Sequence, residues 1–446
     1  MTFDIRDYGA VGDGKTFDTE AIQNTILACR DAGGGRVLVE GGTYLSAPIR
    51  LYSNVELHLS SDGTLLASPR EEDYHNWDDM PGLDQTHLAR KRGDCFLFIG
   101  NAHHVSITGS GTIDANGSAF VEPRPTQKDL GWHTVYKRKS PNTPPRVVFF
   151  ACCRNVLVEG ISIVNGPAGW SLFVHNVDDA RITGITISAA LDFPNNDGIH
   201  INASRNIRVS DCNISVSDDA IVVRANNYSL PENQVTEGIT VTNCTLVSHC
   251  GGIRLGWIRD GVIRNCTFSN LTMLGTRTGI LMTFPWRGEE RTADEGREAL
   301  VIENILFSDI VMDRIFTHPI RLWMDRHENT HAIIKSVKNI YFRNIRARAQ
   351  LWPSLEARKD AKAENFEFSD CSFEIINYSD EFGGYKYMGS RPEKIGTQLF
   401  ENMIGLRLNN TSFTMAPDVE EAPVFDAWED GARLYERLGD VMGKKL

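Results

Sequence analysis

Three aspartates near the middle of the chain have the spacing of a catalytic cluster. Asp197 precedes Asp219 by 22 residues, and Asp218 is the immediate neighbour of Asp219. Carboxylates that crowd together repel one another, so at least one of their pKa values should be raised. A carboxyl group with a raised pKa beside an ionised one is the acid–base pair that cleavage of a glycosidic bond requires. A calcium site built from the three carboxylates and plain turn-forming aspartates are two other interpretations, and spacing alone leaves all three open.

Two of these aspartates begin copies of a short phrase that predicts neighbouring strands. Alternating large residues follow a small residue in each copy, as at 197–201 and 219–223, and further copies start at residues 168, 251, 278 and 318. If the copies are successive strands of one sheet, Asp197 and Asp219 lie on adjacent strands about 5 Å apart. The first and third large residues, Trp170 among them, should point into the core. The middle residues should face solvent as the floor of a groove: Ser171, His200, Val222, Arg254, Leu281 and Arg321.

A longer phrase recurs between these strands, first at residues 155–163 and 206–214 and then in six later copies. Apolar residues alternate within each copy, which is typical of a strand with one buried face. Asn, Asp or Gly interrupts each copy near its middle, where a bend needs a positive φ or a side-chain hydrogen bond. Bent strands at intervals of twenty-odd residues or more predict an all-β fold, a parallel β-helix. A β-sandwich would instead show hairpin turns every 8–12 residues or so.

The two ends of the chain fit this solenoid. Asp18-Thr19-Glu20 offers an N-cap for an amphipathic helix that stops before Gly33, and such a helix can cover the open end of the coils. We expect one domain over residues 1–446. It would have an N-terminal cap region over about 1–50, coils over about 51–415, and a C-terminal tail or helix over 416–446.

The composition is that of a folded protein and argues against several kinds of partner. Of the 446 residues, 46 are Lys or Arg and 58 are Asp or Glu, so the formal net charge is −12. Nucleic acids and anionic membranes are bound by basic surfaces, so we expect neither as a partner. No run of 18 apolar residues is present that could span a membrane. We expect a monomer or a small homo-oligomer.

The nine cysteines and the start of the chain bear on the cellular compartment. The cysteines form no Cys-x-x-Cys pair, and several recur in the bend phrase as small apolar residues would. We expect free thiols rather than disulfides, no metal centre and no cofactor. The chain begins Met1-Thr2-Phe3-Asp4 without a basic and then apolar leader. This predicts a cytoplasmic protein, or a secreted or periplasmic one if a leader has been removed.

Several segments make the chain resemble glycoside hydrolase family 28, the polygalacturonase group of right-handed parallel β-helices. The resemblance runs from Phe3 to about Ile345. Residues 195–198, Asn-Asn-Asp-Gly, are similar to the family's Asn-Thr-Asp-Gly segment, and residues 217–219, Ser-Asp-Asp, are similar to its Gly-Asp-Asp segment. Residues 7–15 resemble a cap motif that several β-helix enzymes share, so they are informative about the fold rather than the activity.

The resemblance implies roles for the residues that match the family's motifs. Asp218 resembles the general acid that protonates the glycosidic oxygen. Asp197 and Asp219 resemble the pair that activates the attacking water, with inversion at the anomeric carbon. Arg224 stands where the family usually has a lysine. Three further residues are candidate substrate contacts: Asn195, His200 and Trp257.

Two departures from the family pattern change what the resemblance implies. Residues 248–252 read Ser-His-Cys-Gly-Gly in place of the family's Gly-His-Gly, so His249 either takes the role of that histidine or is a loop histidine. The family's Arg-Ile-Lys segment, which holds a galacturonate carboxylate, falls on Leu-Met-Thr at 281–283, and Arg254 and Arg277 are the nearest replacements. Rhamnogalacturonan-type, substituted or non-pectic oligosaccharides therefore become candidate substrates beside polygalacturonate.

These features predict a glycoside hydrolase that acts on pectin-related oligosaccharides or polysaccharides. Three long intervals in the repeat, at 73–93, 120–145 and 287–298, predict loops that wall one end of the groove, which would make the enzyme exo-acting. Two alternatives use the same fold. One is a polysaccharide lyase or epimerase that binds Ca²⁺, and the other is a catalytically weakened carbohydrate-binding protein.

Overall fold

The computed structural model of the protein describes residues 1–77, 80, 82–85, 88, 93–124, 135–257, 260–284, 299–324, 334–358, 361–376, 400–417 and 419. Within these residues the backbone winds into a right-handed parallel β-helix in which each coil hydrogen-bonds to the next. The predicted fold class is confirmed. None of the helices in this part of the chain combines the length and the apolar content needed to cross a membrane.

One face of the solenoid is a sheet of eleven parallel strands, and it carries most of the residues predicted to do chemistry. We call it the site sheet. In chain order its strands are Ile49–Leu51, Leu97–Gly100, Arg146–Ala151, Trp170–His175, Ile199–Asn202, Ile221–Arg224, Gly251–Leu255, Thr278–Phe284, Ile320–Met324, Ser354–Glu356 and Phe400–Glu401.

A second sheet of 25 strands forms the rest of the described coil wall and corresponds to the longer phrase of the sequence. In chain order its strands are Thr2–Asp4, Asp13–Phe17, Gly35–Val39, Gly42–Ser46, Val55–Leu59, Gly63–Ala67, His103–Gly109, Thr112–Asp114, Arg154–Glu159, Ser162–Val164, Asp178–Thr183, Thr186–Ser188, Arg205–Ser210, Asn213–Val216, Thr236–Glu237, Thr240–Thr242, Thr245–Ser248, Val262–Leu274, Leu300–Ile315, Ile334–Ala349, Lys362–Ser369, Ser372–Ile375, Met403–Ile404, Arg407–Asn409 and Ser412–Met415.

Asparagine, aspartate and glycine make the corners of the coils, as predicted. Gly160 and Asp211, at two mid-phrase bends, have φ values of +77° and +58°. Asparagines at the start of later phrases are also left-handed and form a ladder. Asn304 Nδ2 donates to Asn265 Oδ1 (3.2 Å), and Asn339 Nδ2 donates to Asn304 Oδ1 (2.9 Å). Asparagine suits these corners because it tolerates the left-handed backbone and its amide can both donate and accept across coils.

Alternate residues of the coils fill one continuous apolar core. Because in-register strands stack about 4.8 Å apart, equivalent side chains of successive coils meet directly. All nine cysteines are free thiols, and all but Cys152 are buried, as expected for small apolar residues at repeated positions. Four phenylalanines form a column with ring centroids 4.7–5.2 Å apart: Phe268, Phe307, Phe342 and Phe368.

The N-terminal helix spans Thr19–Asp31, and its buried residues, such as Ile22, belong to the same core as the coils. Asp18 is the N-cap residue, as predicted, but its side chain does not cap the helix. Its carboxylate makes no capping hydrogen bond and instead accepts from Val11 N (2.6 Å) and Gly12 N (3.1 Å). The loop that precedes the helix competes for the carboxylate, so Asp18 fixes that loop rather than the helix end.

The coils begin earlier than the sequence predicted, because strand Thr2–Asp4 already pairs in parallel with Gly35–Val39. The predicted tail over 416–446 lies outside the described residues except for 416, 417 and 419. Short 3₁₀ helices span Ile5–Tyr8, Glu71–Asp73 and Gly117–Phe120. A two-stranded antiparallel hairpin outside the coils joins Val121–Pro123 to Tyr136–Arg138, and it matters for the site described next.

Candidate active site

The pairing of two strands of the site sheet brings Asp197 and Asp219 side by side. Strand Ile199–Asn202 pairs in register with Ile221–Arg224, and Gly198 N donates to Asp219 O (3.0 Å). Each aspartate lies two residues before its strand, so both carboxylates occupy equivalent positions of neighbouring coils. The predicted adjacency of the two aspartates is therefore seen in the structure.

Asn195 links the carboxylates of Asp197 and Asp218. Its backbone is left-handed (φ +60°), and its Nδ2 donates to Asp197 Oδ1 and to Asp218 Oδ2, each at 3.3 Å. The backbone N–H of Asp219 donates to the other oxygen of Asp218 at 3.0 Å. Asp218 is half-buried, whereas Asp197 and Asp219 are each only 4% exposed. Hydrogen bonds therefore link the three predicted residues, Asp197 and Asp218 through their carboxylates and Asp219 through its backbone N–H.

Arg254, on the next strand of the site sheet, pairs with Asp219. Its Nε contacts Asp219 Oδ2, and both side chains are buried. Burial raises the pKa of Asp219, and the Arg254 guanidinium opposes that rise without cancelling it. Asp219 Oδ1 is buried and has no hydrogen-bond partner among the described residues. One oxygen of this carboxylate is thus held by a cation, and the other is buried without a described donor.

Asp197 has the most unfavourable surroundings for a negative charge. Burial raises its pKa well above the ordinary value, and repulsion from Asp218 and Asp219 adds to the effect. His200 Nδ1 lies 3.2 Å from Asp197 Oδ2. Burial holds the pKa of His200 well below its usual range, so a neutral imidazole can donate a hydrogen bond to this carboxylate. The predicted rise of at least one carboxyl pKa is therefore present.

The predicted register of one strand is wrong, and this changes the role of Trp170. Leu172, not Trp170, lies opposite Ile199, so Trp170 does not enter the coil core. It lies on the outer face of the sheet and stacks on the His200 ring with centroids 3.9 Å apart. Gly169-Trp170 resembles Gly198-Ile199 in sequence, which made Trp170 the expected equivalent of Ile199. The hydrogen-bond register instead places Trp170 level with Asp197, and this register determines the face of the sheet on which the Trp170 side chain lies.

The outer face of the site sheet is less exposed than the sequence predicted. Five of the six middle residues of the short phrase are buried, and only Arg321 is partly exposed: Ser171, His200, Val222, Arg254 and Leu281 are the buried ones. Part of the face is covered by a second apolar cluster to which the predicted loop over 73–93 contributes Met80, Leu83 and Leu88. The predicted loop over 287–298 lies outside the described residues.

Of the two other predicted cations, Arg277 lies within the site and Arg224 lies at its border. Arg224 pairs with the buried carboxylate of Asp260 through two bonds of 2.6 and 2.8 Å. Asp260 also accepts from Trp257 N, and the Arg254 guanidinium lies 4.5 Å from the centre of the Trp257 ring. Arg277 is partly exposed, and its charge lowers the pKa of the neighbouring Cys250 thiol, although burial keeps that pKa raised.

His249 follows the strand that pairs with the coil of Asp218, since Val216 lies opposite Ser248. Its ring is buried, and Nδ1 lies 2.9 Å from the carbonyl oxygen of Leu191. Burial lowers the pKa of His249, and the hydrogen bond to Leu191 opposes that effect. This contact connects His249 to the loop that leads into Asn195.

Cys250 was not among the predicted site residues, but its Sγ and the carboxylates of Asp218 and Asp219 lie within 4.8 Å of one another. This donor set suits calcium poorly, because Ca²⁺ takes six to eight oxygen ligands and avoids thiols. Arg254 also lies against both Asp219 and Cys250. The residues present therefore do not fit the calcium-dependent alternative.

Two further residues of the site were missed by sequence reasoning. Arg138, on the antiparallel hairpin, donates to Asn195 Oδ1 at 2.6 Å. Gly251 lies beside Asp219, and a Cβ at this position would come within 2.6 Å of Asp219 Oδ1. The basic composition of residues 120–145 was a weak signal for Arg138. Because glycine recurs at the start of the short phrase, Gly251 did not stand out as a position that specifically requires glycine.

The comparisons with known proteins agree with this fold. The sequence model of Glycosyl hydrolases family 28 matches residues 83–382. A model described as Rhamnogalacturonase A/epimerase, pectate lyase-like, matches residues 2–64. A protein named probable polygalacturonase from Vitis vinifera is 27% identical over 285 residues, which are 61% of this chain and 55% of that relative, so the chain spans about half of its length. An exopolygalacturonase from Arabidopsis thaliana is 25% identical over 338 residues, 69% of this chain and 71% of the relative.

Solved structures show the same architecture. The hyperthermoactive exopolygalacturonase from Thermotoga maritima superposes with a TM-score of 0.67 at 24% identity, over 84% of this chain and 87% of that chain. The family 28 exopolygalacturonase from Yersinia enterocolitica gives a TM-score of 0.69 at 18% identity, over 96% and 76% of the two chains. These likenesses support the fold, and the match over 83–382 covers more than half of the sequence. The predicted resemblance is thus confirmed, and the chain belongs to glycosyl hydrolases family 28.

Proposed function

We propose that the protein hydrolyses glycosidic bonds of pectin-related oligosaccharides with inversion at the anomeric carbon. Asp218 is the general acid, and Asp197 and Asp219 activate the attacking water. The observation that carries the proposal is the cluster itself, in which in-register strands set two buried carboxylates beside a third, half-buried one. In this reaction the water oxygen bonds to the anomeric carbon, its proton goes to a carboxylate, and the leaving oxygen takes the proton of Asp218.

The assignment of Asp218 as the acid rests on its exposure and its contacts. Among the three carboxyl groups, Asp218 is the one that a substrate in the groove reaches, because the other two are almost completely buried. The Asp219 N–H and the Asn195 amide hold one oxygen each. A side chain fixed in this way can present its proton to a glycosidic oxygen without first searching rotamers.

The assignment of Asp219 to water activation rests on its unpartnered oxygen. Arg254 holds Oδ2, and Oδ1 has no hydrogen-bond partner among the described residues. A water that donates to Oδ1 would lose its proton to a carboxylate whose pKa is raised by burial, which makes it a stronger base than an exposed aspartate. Asp197, at the equivalent position of the neighbouring coil, can accept a hydrogen bond from the other O–H of the same water, which stays with the product hydroxyl.

The separation of the carboxylates and the family resemblance point to different stereochemical outcomes at the anomeric carbon. Oxygens of Asp218 and Asp219 lie within 4.8 Å of each other. Many inverting glycosidases hold their two carboxyl groups about 6.5–9.5 Å apart, whereas retaining ones hold them about 5–5.5 Å apart. Inversion at the anomeric carbon therefore requires the attacking water to bind between Asp197 and Asp219, beside the general acid Asp218. The anomeric form of the first product decides between these two geometries.

The cations at the site support an acidic sugar as the substrate. Arg254 reaches from its own strand to the next one, where its Nη1 donates to Thr283 Oγ1 at 3.1 Å. Thr283 stands where the resemblance places the lysine of the missing Arg-Ile-Lys segment. Arg254 thus brings a cation to that segment from the preceding coil, with Arg277 nearby in the site. Charge-assisted hydrogen bonds to a uronate carboxylate are the interaction that such arginines provide.

Exo action is supported by what covers the groove. The apolar cluster that includes Met80, Leu83 and Leu88 covers the outer face on the N-terminal side of the aspartates. The hairpin that carries Arg138 lies on the same side and contacts Asn195. Walls on one side of a groove favour a pocket for a chain end over a continuous track for a polymer. The curated relatives and solved structures named above include three that are called exopolygalacturonases.

The test is a reducing-end assay on a size ladder of oligogalacturonates, with rhamnogalacturonan and neutral oligosaccharides as the comparison panel. We expect release of one sugar unit per event from acidic chains, and proton NMR within the first turnover should show the inverted anomer. Mid-length products appearing first would contradict exo action, and a retained anomer would contradict the water-activation scheme. A new ultraviolet-absorbing double bond that disappears with a chelator would indicate a lyase instead.

A further inference from the structure

Arg138 is the one side chain of the antiparallel hairpin that a described hydrogen bond joins to Asn195, the residue that links the carboxylates of Asp197 and Asp218. It ends the strand Tyr136–Arg138, which pairs with Val121–Pro123 outside the coils. Its Nη2 donates to Asn195 Oδ1 at 2.6 Å, and its Nε donates to the carbonyl oxygen of Ala168 at 2.9 Å. The guanidinium therefore spans two neighbouring coils from a segment that belongs to neither.

The contact with Asn195 fixes which way its amide points. With Oδ1 accepting from Arg138, Nδ2 must face the carboxylates, and it donates to Asp197 Oδ1 and Asp218 Oδ2. An unanchored amide could flip and set its oxygen against two carboxylates, which would repel it. Both bonds to the carboxylates are long, at 3.3 Å, so a small rotation of Asn195 breaks one of them.

The second contact of Arg138 fixes the preceding coil at the same corner. Ala168 is buried and left-handed, with a φ of +58°, and Gly169 follows it. Asn196, the neighbour of Asn195, accepts from Gly169 N at 3.2 Å through its side-chain oxygen. Arg138 and Asn196 thus tie the 168–169 corner to the 195–196 corner from two directions. Displacement of either corner would move Asn195 relative to the aspartates.

We propose that Arg138 is a positioning residue of the active site, which acts through Asn195 to hold Asp197 and Asp218 in their working arrangement. This inference rests on the proposed hydrolysis for its kinetic consequences but not for its structural ones. It assigns a task to the hairpin, which anchors the two carboxylates from outside the solenoid. Asn195, which the resemblance made a substrate contact, becomes the intermediary.

The charge of Arg138 has a separate and predictable effect. The groups that face Asp197 are the carboxylates of Asp218 and Asp219, the guanidinium groups of Arg138 and Arg254, and the imidazole of His200. Among these, the two cations lower the pKa of Asp197, and the two carboxylates raise it. Loss of the Arg138 cation removes one lowering influence, so the pKa of Asp197 should rise. Loss of the hydrogen bond to Asn195 should lower turnover without regard to pH.

The experiment compares Arg138→Met and Arg138→Lys with a matched control on the same hairpin, Lys137→Met. Lys137 is exposed and pairs only with Glu122 at the surface among the contacts described, 2.9 Å away. We expect Arg138→Met to lower kcat about 10- to 100-fold with little change in KM, since small misplacements of reacting groups cost about that much. Its profile of kcat/KM against pH should also move to higher pH. Arg138→Lys should keep the pH profile of the wild type but lose rate, because lysine keeps the charge without the planar fork.

Two additional readouts keep the outcome interpretable. Added guanidinium ion should partly restore the kcat of Arg138→Met, and a crystal structure of that variant should show the Asn195 amide rotated away from Asp218.

If the wild type is active and Arg138→Met matches Lys137→Met in kcat and pH profile, the inference is wrong. A rise in KM alone would assign Arg138 to substrate binding and would also overturn it. A wild type inactive on the whole panel would contradict the proposed function, whereas an unmoved Asn195 in the crystal would contradict this inference independently. If Arg138→Met does not fold, Arg138→Lys carries the test, and an unchanged kcat in that variant contradicts the inference.

Discussion

Arg254 and Asp219 form a buried ion pair between neighbouring strands of the site sheet. The guanidinium contacts one carboxylate oxygen, and the other oxygen stays without a described hydrogen-bond partner. Burial alone would favour a protonated aspartate, and the arginine opposes that effect. The pair therefore keeps a nearly inaccessible carboxylate ionisable, which is the condition for a base that works in a dry site.

Removal of Arg254 should destabilise the fold in a pH-dependent way. Arg254→Met leaves a buried carboxylate without its partner, and such a loss typically costs about 3–5 kcal/mol. The folded-state pKa of Asp219 should then rise further above the unfolded value, so the deficit is largest at neutral pH and shrinks as the pH falls towards the unfolded carboxyl value of about 4. Denaturant unfolding at pH 7 and at pH 4 measures the loss of unfolding free energy and its dependence on pH. The double variant Arg254→Met/Asp219→Asn should recover most of the loss, and equal deficits at the two pH values would contradict the pairing.

The acid limb of the activity profile should report the buried pair of carboxylates. Burial raises the pKa of both Asp197 and Asp219, so the ionised forms that activate water are lost as the pH falls through these raised values. We expect the midpoint of the acid limb of kcat/KM to lie above the ordinary carboxyl value of about 4. The measurement is a profile of kcat/KM from pH 3 to 8 on one substrate. Full activity retained down to an ordinary carboxyl pKa would contradict the assignment.

Gly251→Ala should damage the site with little effect on the fold. The added methyl group would come within 2.6 Å of Asp219 Oδ1, so the carboxylate must move. We expect a fall in kcat of about 10- to 100-fold, as for other small misplacements of reacting groups. Initial rates and thermal unfolding of the same preparation separate the two effects. A variant with native kcat would show that Asp219 Oδ1 does not need its observed position.

His249→Ala should lower turnover about tenfold without removing a limb of the pH profile. Burial lowers the pKa of His249, which favours its neutral form, and a described hydrogen bond joins its ring to the Leu191 carbonyl. We therefore expect a positioning effect on the loop that carries Asn195. The comparison is of full kcat/KM profiles for the wild type and the variant. A lost limb would make His249 a proton-transfer group, and an unchanged rate would make it a loop histidine.

Local chemistry in the sequence was sufficient for the solenoid and for the adjacency of the aspartates. The alternation of apolar residues and the asparagine at the corners are short-range signals, and the 22-residue step from Asp197 to Asp219 follows from them. The face of Trp170 could not be read in this way, because the interstrand register sets it, and Leu172 rather than Trp170 meets Ile199. A single strand phrase does not encode that pairing.

The contacts from outside the coils were beyond sequence reasoning for a different reason. Arg138 meets Asn195 across 57 positions of chain, and no periodicity connects a hairpin to a coil corner. Val222 and Leu281 are also buried, and the presence of two apolar residues on a supposed solvent face was a clue to this. Non-local closure of loops over a regular scaffold adds both the covering and the fine geometry of the site.

The measurement that tests the central claim most directly is the initial rate of reducing-end release by Asp218→Asn, with Asp211→Asn as the control. Asp211 is exposed on the same coil, and its left-handed backbone accepts asparagine. Because an amide cannot donate the proton that the leaving oxygen needs, we expect Asp218→Asn to lose at least about 100-fold in kcat while Asp211→Asn keeps the native rate. Both variants should unfold at the wild-type temperature within a few degrees. A near-native rate for Asp218→Asn would contradict the account of this site.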